Sequence, residues 1–478
     1  MRYRRNRKHV FVDWSGIEAG YGVAWNHEGD PDAAPKSFLM PYGLRIAVYT
    51  PEFDPDPVIA REHPWEASFI NAYATVFEDD GRFRMYYEAH SAYSGDYSAR
   101  VCYAESDDGL TWTKPFLGLC EFDGSKENNI VMQEGMGLGK GPHGAFVFRD
   151  PNGQSHDRYK LVYCSDDFGK PFVAGAVSPD GLNWTGLDKP VIENQYADTQ
   201  TVILWDADRQ VYTGYFRDWP KGNLNLGRRV VLHATTDDFY DWPERRLIFA
   251  TDSQDEPGTD VYNNGYTFWP GAEDAHMMFP CFYPRTRDTM ETHLAVSRDG
   301  AVWHRPQREP LWGCGPPGSY SVAGMVASQG IVTLPDGRWV MHAGARSKTH
   351  NETHYGDLMR HKFSGLWRAS IREDGIMALK AESRGECWSS PLEYEGSELT
   401  INAWTRFGGT VRIGLCEEDG TLIPGRSLED CDRMTGDLMW STVSWKGQSD
   451  ISQWERSTVR LHIELTRGWL HAWRIGDA

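Results

Sequence analysis

One phrase recurs along the chain and constrains the architecture before any residue is given a role. It reads Ala-x-[Ser/Thr]-x-Asp-[Gly/Phe]-x-x-Trp, and it runs from Ala104 to Trp112, Ala176 to Trp184, Ala234 to Trp242 and Ala295 to Trp303. A worn fifth copy spans Ser370 to Ala378, with Asp374 and Gly375 in the turn positions. The copies stand roughly 60–75 residues apart, so one structural unit is used five times. Each unit has the same order: an apolar strand, a polar turn, a second strand with aromatics, a third strand into the Asp-Gly phrase, and the Trp on or beside a fourth. The turns are Glu78–Arg82, Asp150–Gly153, Asp206–Asp208, Gly271–Asp274 and Pro335–Arg338. Gly after Asp supplies the positive φ of a tight turn, and the Asp side chain accepts hydrogen bonds from turn amides.

Twenty Trp, 22 Tyr, 20 Phe and 48 Gly favour strands and tight turns. No long stretch carries helical periodicity, so the chain reads as all-β. Four antiparallel strands repeated around an axis make a β-propeller, and five units predict five blades over residues 64–378. Radial sheets bury both faces, which gives the recurring Trp a packing role and its Asp a turn-staple role far from the axis. Residues 379–478 lack the phrase and alternate polar with apolar residues, as in Thr458–Leu465, which predicts a β-sandwich. Residues 1–63 read as an arm packed on one of these domains.

Bulk properties narrow the function. The net charge of −19 and the absence of a basic run past residue 8 argue against a nucleic-acid partner. No apolar run approaches a membrane span, and the stretch after the basic N-terminus is too short for a signal-peptide core, so a cytoplasmic location without a membrane partner is expected. The eight cysteines form no C-x-x-C pair and read as buried free thiols. No cofactor is expected. His350 and His354 have metal-ligand spacing but loop-like surroundings and no evident third ligand, so no metal is assigned.

In a propeller, innermost strands line a channel, and polar side chains from several blades converge at its mouth. The informative residues are polar ones where a buried strand should read apolar. These are Glu66, His143, Asp198 and Asp260, with Tyr262 and Asn263 beside the last. Glu66, Asp198 and Asp260 recur at corresponding places in units one, three and four, and are the candidate catalytic carboxylates. Glycoside cleavage needs two carboxyl groups flanking the scissile bond, and a third raises the pKa of the acid. The alternative is that they cap backbone amides. Second strands end in further candidates for substrate binding: Glu88 with His90, Arg217 with Asp218, and His342 with Arg346. Arg217 interrupts an aromatic strand and suits a clamp on a carboxylate or hydroxyl.

The repeated Ser-x-Asp-Gly-x-x-Trp phrase, Pro64-Trp-Glu66 and Asn128-Asn129-Ile130 resemble an uncharacterised family-32-like branch of the five-bladed propeller glycosidases. That superfamily includes invertases, levansucrases and arabinanases (glycoside hydrolase families 32, 68 and 43). The resemblance implies an exo-acting enzyme on an oligo- or polysaccharide, with carboxylates from the early blades. Phe148-Arg-Asp-Pro-Asn-Gly153 looks like the invertase Arg-Asp-Pro motif, and Glu386-Cys387 looks like its Glu-Cys acid motif. However, Asp150 sits where other units have their outward hairpin, and Glu386 lies beyond the fifth unit. Asp13 and Glu18 are outside candidates from the N-terminal arm. Three functions remain open: a glycoside hydrolase, a glycoside phosphorylase holding phosphate on Arg217, His143 and Arg346, and a non-catalytic carbohydrate-binding propeller.

Overall fold

The computed structural model describes residues 2–18, 40–91, 99–167, 170–219, 227–354 and 364–477. The chain is all-β, with only single-turn 3-10 segments among the described residues, and none of its helices is long and apolar enough to cross a membrane. It divides into two compact units. One comprises residues 1–49, 269–275 and 372–478, and the other residues 50–268 and 276–371.

The larger unit is built of successive antiparallel groups. In the first, Phe69–Asp79 pairs with Arg82–His90, which pairs with Ala99–Ser106, which pairs with Ile130–Met132. The second contains His143–Arg149, Tyr159–Asp167, Lys170–Ser178 and Thr185–Gly186. The third contains Val202–Asp206, Val211–Asp218, Val230–Thr236 and Arg246–Phe249. The fourth departs from the expected continuous strand over 277–281. Its strands break into Thr259–Asn263 against Cys281–Pro284, and Tyr266–Phe268 against His276–Met278. Pro280 explains the break, because it has no N–H to donate across the ladder. The fifth has Gly324–Thr333 against Arg338–Ala345 and includes Gly365–Arg372, which also takes the short strands Glu52–Phe53 and Ile59–Ala60.

Side chains stitch each group to the next. Gln200 donates to the carbonyl of Ala145 at 2.8 Å, Asn264 donates to that of Tyr215 at 3.2 Å, and Gln329 donates to that of Tyr266. The fifth group returns to the first, since the Ser328 hydroxyl donates to the Ala72 carbonyl at 2.8 Å and Thr75 is register partner to Gln329.

The recurrent phrase does what its chemistry dictates. Asp108 Oδ1 accepts from the N–H groups of Leu110 and Thr111 at 2.8 and 2.7 Å, while Ser106 Oγ accepts from Gly109 at 2.9 Å with φ of 70°. Those backbone bonds, Thr111 first, draw the Asp108 carboxyl down to about 2. Asp180 and Asp299 repeat the pattern, and Asp238 keeps it in part. The fifth copy differs. Asp374 is fully buried, holds Lys8 at 3.1 Å and accepts from Trp269 Nε1 at 2.7 Å, so it is an internal ion-pair partner rather than an exposed staple.

Three of the tryptophans lean on the second strand of a neighbouring group. Trp184 meets Tyr86 with ring centroids 6.3 Å apart, Trp303 meets Tyr215 at 6.1 Å, and Trp112 meets His342 at 5.7 Å. Trp242 packs instead on Phe216 of its own group at 5.4 Å. His342, expected at a substrate site, is therefore a packing residue. It is 1% exposed, neither ring nitrogen has a hydrogen-bond partner, and burial pushes its pKa down to about 3.

The smaller unit is a six-stranded sheet in which Glu398–Glu417 and Val459–Gly476 pair along most of their length, flanked by Met377–Trp388, Tyr42–Val48 and Asp437–Thr442. Val411, Ile413 and Leu415, separated by Arg412 and Gly414, pack with Leu461, Ile463 and Leu465, the period of two that a one-sided core requires. All eight cysteines are free thiols, and seven are buried. Cys314 is exposed, contrary to the expectation that all are internal.

Four histidines of the larger unit are held neutral chiefly by burial. His233 and His276 are pushed down to about 4, and His293 and His342 to about 3. The unfolded chain takes up these protons near pH 6.5 and the folded chain does not. Each histidine therefore removes stability as pH falls below about 6.5, at about 1.4 kcal/mol per pH unit until its folded pKa is reached. The urea midpoint is expected to drop between pH 7 and pH 5, with a shallower drop for His342→Leu. Parallel urea titrations of the two proteins measure it.

Candidate functional site

The site grows from positions two sequence rules select: the first strand of a group, and the matching end of the second. Asn71 and Tyr73 lie on Phe69–Asp79, His143 opens His143–Arg149, Asp198 precedes Val202–Asp206, and Tyr262 lies on Thr259–Asn263. Glu88, Cys164 and Arg217 occupy equivalent places on the second strands of the first three groups. A close backbone approach sets the spacing. Gly144 has φ of 62°, and a Cβ there would stand 2.6 Å from the carbonyl carbon of Thr199. Only glycine admits that contact, which puts His143 beside Asp198.

A charged chain results. Glu88, 1% exposed, accepts at Oε1 from Asn71 Nδ2 at 2.9 Å and meets His90 Nε2 at 2.7 Å and His143 Nδ1 at 3.0 Å. Its Oε2 accepts from the Gly144 N–H at 2.7 Å. His143 Nε2 lies 3.4 Å from Asp198 Oδ1, and Arg217 Nη2 lies 3.2 Å from Asp198 Oδ2. Arg217 is 2% exposed, yet the Asp198 side chain is 62% exposed, so a nearly buried cation presents an open carboxylate to solvent. The Arg217 guanidinium also stacks 4.9 Å from the Tyr262 ring, whose hydroxyl is 2.9 Å from His350 Nε2. Tyr73 sets its ring edge-on to His143 at 5.4 Å and takes a hydrogen bond from the Thr199 hydroxyl at 3.1 Å.

These contacts set protonation. Crowding by protein would raise the Asp198 carboxyl, but the hydrogen bond from His143 and the charge of Arg217 overcome it and hold Asp198 well below the usual range. Burial likewise works against ionised Glu88, and His143 and His90 reverse it. Burial alone would neutralise His143; the Glu88 charge instead lifts its pKa well above the ordinary imidazole value.

The structure thus brings together Glu88, His143, Asp198, Arg217 and Tyr262. It does not bring Glu66 into that chain. Glu66 Oε1 accepts from the Tyr87 hydroxyl at 2.5 Å and from Lys114 at 2.9 Å, while Oε2 accepts from the N–H of Glu62 at 2.8 Å. Tyr87 and Glu88 are consecutive on a strand and point to opposite faces, so Glu66 serves the face away from Glu88. The motif residues Trp65 and Asn129 join the same internal network, with Trp65 Nε1 donating to Asn129 Oδ1 at 2.8 Å and Asn129 Nδ2 to the Tyr87 hydroxyl at 2.8 Å. Asp260, fully buried, is taken up by Arg229 at 2.5 Å and Arg285 at 2.8 Å. It touches the chain only indirectly, because Arg229 stacks on the Tyr262 ring at 4.7 Å. Asn263 spends its Oδ1 on the Cys281 N–H at 2.9 Å. Arg346 lines a small cleft with Asn71 and Ser364.

Asp150 is a hairpin residue, holding Lys160 at 2.5 Å and the Tyr212 hydroxyl at 2.8 Å. Glu386 belongs to the smaller unit, where it meets His462 at 2.6 Å; Glu18, on the same unit, pairs with Arg460 at 2.8 Å. Asp13, also on that unit, accepts from the Ser15 hydroxyl at 2.6 Å. The His354 side chain lies outside the described residues. Asn71 and Tyr73 were missed, although the rule of polar residues in a buried first strand points to both.

No protein-family model matches the chain, and no curated protein matches it. Solved structures similar to it include an N-acetylgalactosamine deacetylase from F. plautii in complex with blood group B trisaccharide, at 16% identity and TM-score 0.49, covering 70% of this chain and 97% of that one. A glycosyl hydrolase from Bacteroides ovatus matches at 14% identity and TM-score 0.47, covering 69% and 97%. A third belongs to work on the GH130 family of mannoside phosphorylases, which contains glycoside hydrolases that target β-1,2 mannosidic linkages in Candida mannan; it matches at 17% identity and TM-score 0.45, covering 68% and 94%. Likenesses this weak carry no activity over to the chain.

Removing one partner of a buried ion pair strands the other charge. Glu66→Gln leaves Lys114, whose side chain is 7% exposed, to the solvent-exposed carboxylate of Glu62 at 3.2 Å, without its buried partner. The expected loss is about 3 kcal/mol, read as a lower urea midpoint.

Proposed function

We propose that the larger unit is a five-bladed β-propeller lying within residues 50–371, that the C-terminal stretch 379–478 of the smaller unit belongs to a β-sandwich, and that the chain is an exo-acting glycoside hydrolase in which Asp198 is the reacting carboxylate. The observation that carries the reading is the Asp198 side chain, 62% exposed and ion-paired on its inner side to Arg217. A nucleophile or general base in glycoside cleavage has to be ionised and open to substrate or water, and Asp198 is both. Glu66 and Asp260 are sealed by Lys114, Arg229 and Arg285, so Asp198 is preferred to them in that role. Glu88, His143, Arg217 and Tyr262 are its positioning and substrate-binding neighbours. The stitching of five groups, the last back onto the first, supports the ring. The free thiols fit a cytoplasmic location.

A phosphorylase needs cations free to hold phosphate. Arg217 and His143 both face Asp198, so phosphate would compete with a carboxylate already in place, and water is the preferred acceptor.

A screen of aryl-glycosides and oligosaccharides, with and without inorganic phosphate, tests the reading. Turnover without phosphate is expected. Asp198→Asn should lower it by about 10²–10⁴-fold. It also leaves the Arg217 guanidinium, 2% exposed, without its carboxylate, so the melting temperature falls as well, and circular dichroism at the assay temperature checks that the variant is folded. Asp150→Asn should leave turnover within about twofold while lowering stability through loss of its charge opposite Lys160. Native-like turnover in Asp198→Asn would remove Asp198 from the mechanism.

A further inference from the structure

Glu88 is more heavily solicited than a buried carboxylate needs to be. A carboxylate oxygen has two lone pairs. Three nitrogens nonetheless converge on Oε1 alone: His90 Nε2 at 2.7 Å, Asn71 Nδ2 at 2.9 Å and His143 Nδ1 at 3.0 Å. The ligand atoms of Glu88, His90 and His143 all lie within 4.8 Å of one another, the span of donor atoms around a single ion.

We propose that Glu88, His90 and His143 form a binding site for one divalent first-row transition ion of the zinc type. Two imidazoles and one carboxylate are the donor set such ions take, with a further position left for water. The outer contacts agree. A metal-bound imidazole directs its other ring N–H to a carboxylate, and His143 Nε2 faces Asp198 at 3.4 Å. A metal-bound carboxylate is oriented by a donor on its second oxygen, and the Gly144 N–H lies 2.7 Å from Glu88 Oε2. The His90 ring is fixed by stacking on Phe69, with centroids 4.3 Å apart and planes 6° from parallel. The His143 side chain is 18% exposed and the Asp198 side chain beside it is open to solvent, which gives an ion a way in. The site stands whether or not the chain cleaves glycosides.

The alternative donor set around the same imidazole is His143, Cys164 and Asp198. Cobalt separates the two, because a thiolate ligand adds an intense charge-transfer band that nitrogen and oxygen ligands do not.

The experiment uses the full chain, stripped with a chelator, dialysed against micromolar Zn²⁺ or Co²⁺ and assayed by elemental analysis and visible absorption. One equivalent per chain is expected, with cobalt d–d bands and no thiolate charge transfer. Glu88→Gln and His143→Gln should each weaken binding at least about 100-fold, and Asp198→Asn about 10–100-fold. Circular dichroism checks that the variants fold. A native chain holding no stoichiometric ion would overturn the proposal without needing any variant. A thiolate band, or unchanged binding in folded Glu88→Gln and His143→Gln, would overturn it equally. Glycosidase activity is not read in any arm, so failure here and failure of the hydrolase reading are separate results.

Discussion

The buried carboxylate of Glu88 is the contact on which the rest of the site depends. An ionised group at 1% exposure has to be satisfied by its surroundings or it neutralises. Glu88 is met by Asn71 and His90 from its own group and by His143 and the Gly144 N–H from the next. Those bonds tie two sheets together at the level of one oxygen pair. They also fix which way the His143 ring faces, and hence where Asp198 finds a partner. Arg217 closes the series from a third group. An inward second-strand acid thus organises residues separated by more than a hundred positions into one line of alternating charge.

Polarity at a buried strand position was the signal that found this line, and it was legible because such positions are otherwise apolar. Glu88, His143, Arg217 and Tyr262 carry it, and Asp198 stands just ahead of such a strand. The same signal also marked Glu66, Asp260, Asn263 and His342, which do other work. The difference lies in partners that sequence spacing cannot announce. Lys114 reaches Glu66 from a loop after the third strand, and Arg229 and Arg285 reach Asp260 from 31 residues before it and 25 after it in the sequence. Whether a carboxylate is presented or sealed is decided by cations from other elements, and no local pattern encodes that.

The repeat itself was legible in greater detail. The Ser-x-Asp-Gly phrase is a self-contained turn whose hydrogen bonds lie within six residues, Ser106 to Thr111, so the local sequence specifies it. The fifth copy shows where local chemistry yields. There the left-handed φ, 58°, falls on Asp374 itself rather than on the Gly that follows, and Lys8 and Trp269 hold its carboxylate inward as a charge partner. The fourth group is the other departure, where Pro280 divides strands that the aromatic pattern reads as continuous.

The edge-on packing of Trp112 against His342 has a consequence for how the chain is made. The indole belongs to the first repeat and its imidazole partner to the last. During synthesis that aromatic side stays without its neighbour until nearly the whole larger unit has left the ribosome. The early sheets therefore wait, with a greasy flank uncovered, for a latch that arrives last, and the window in which they can stick to other nascent chains is set by translation time.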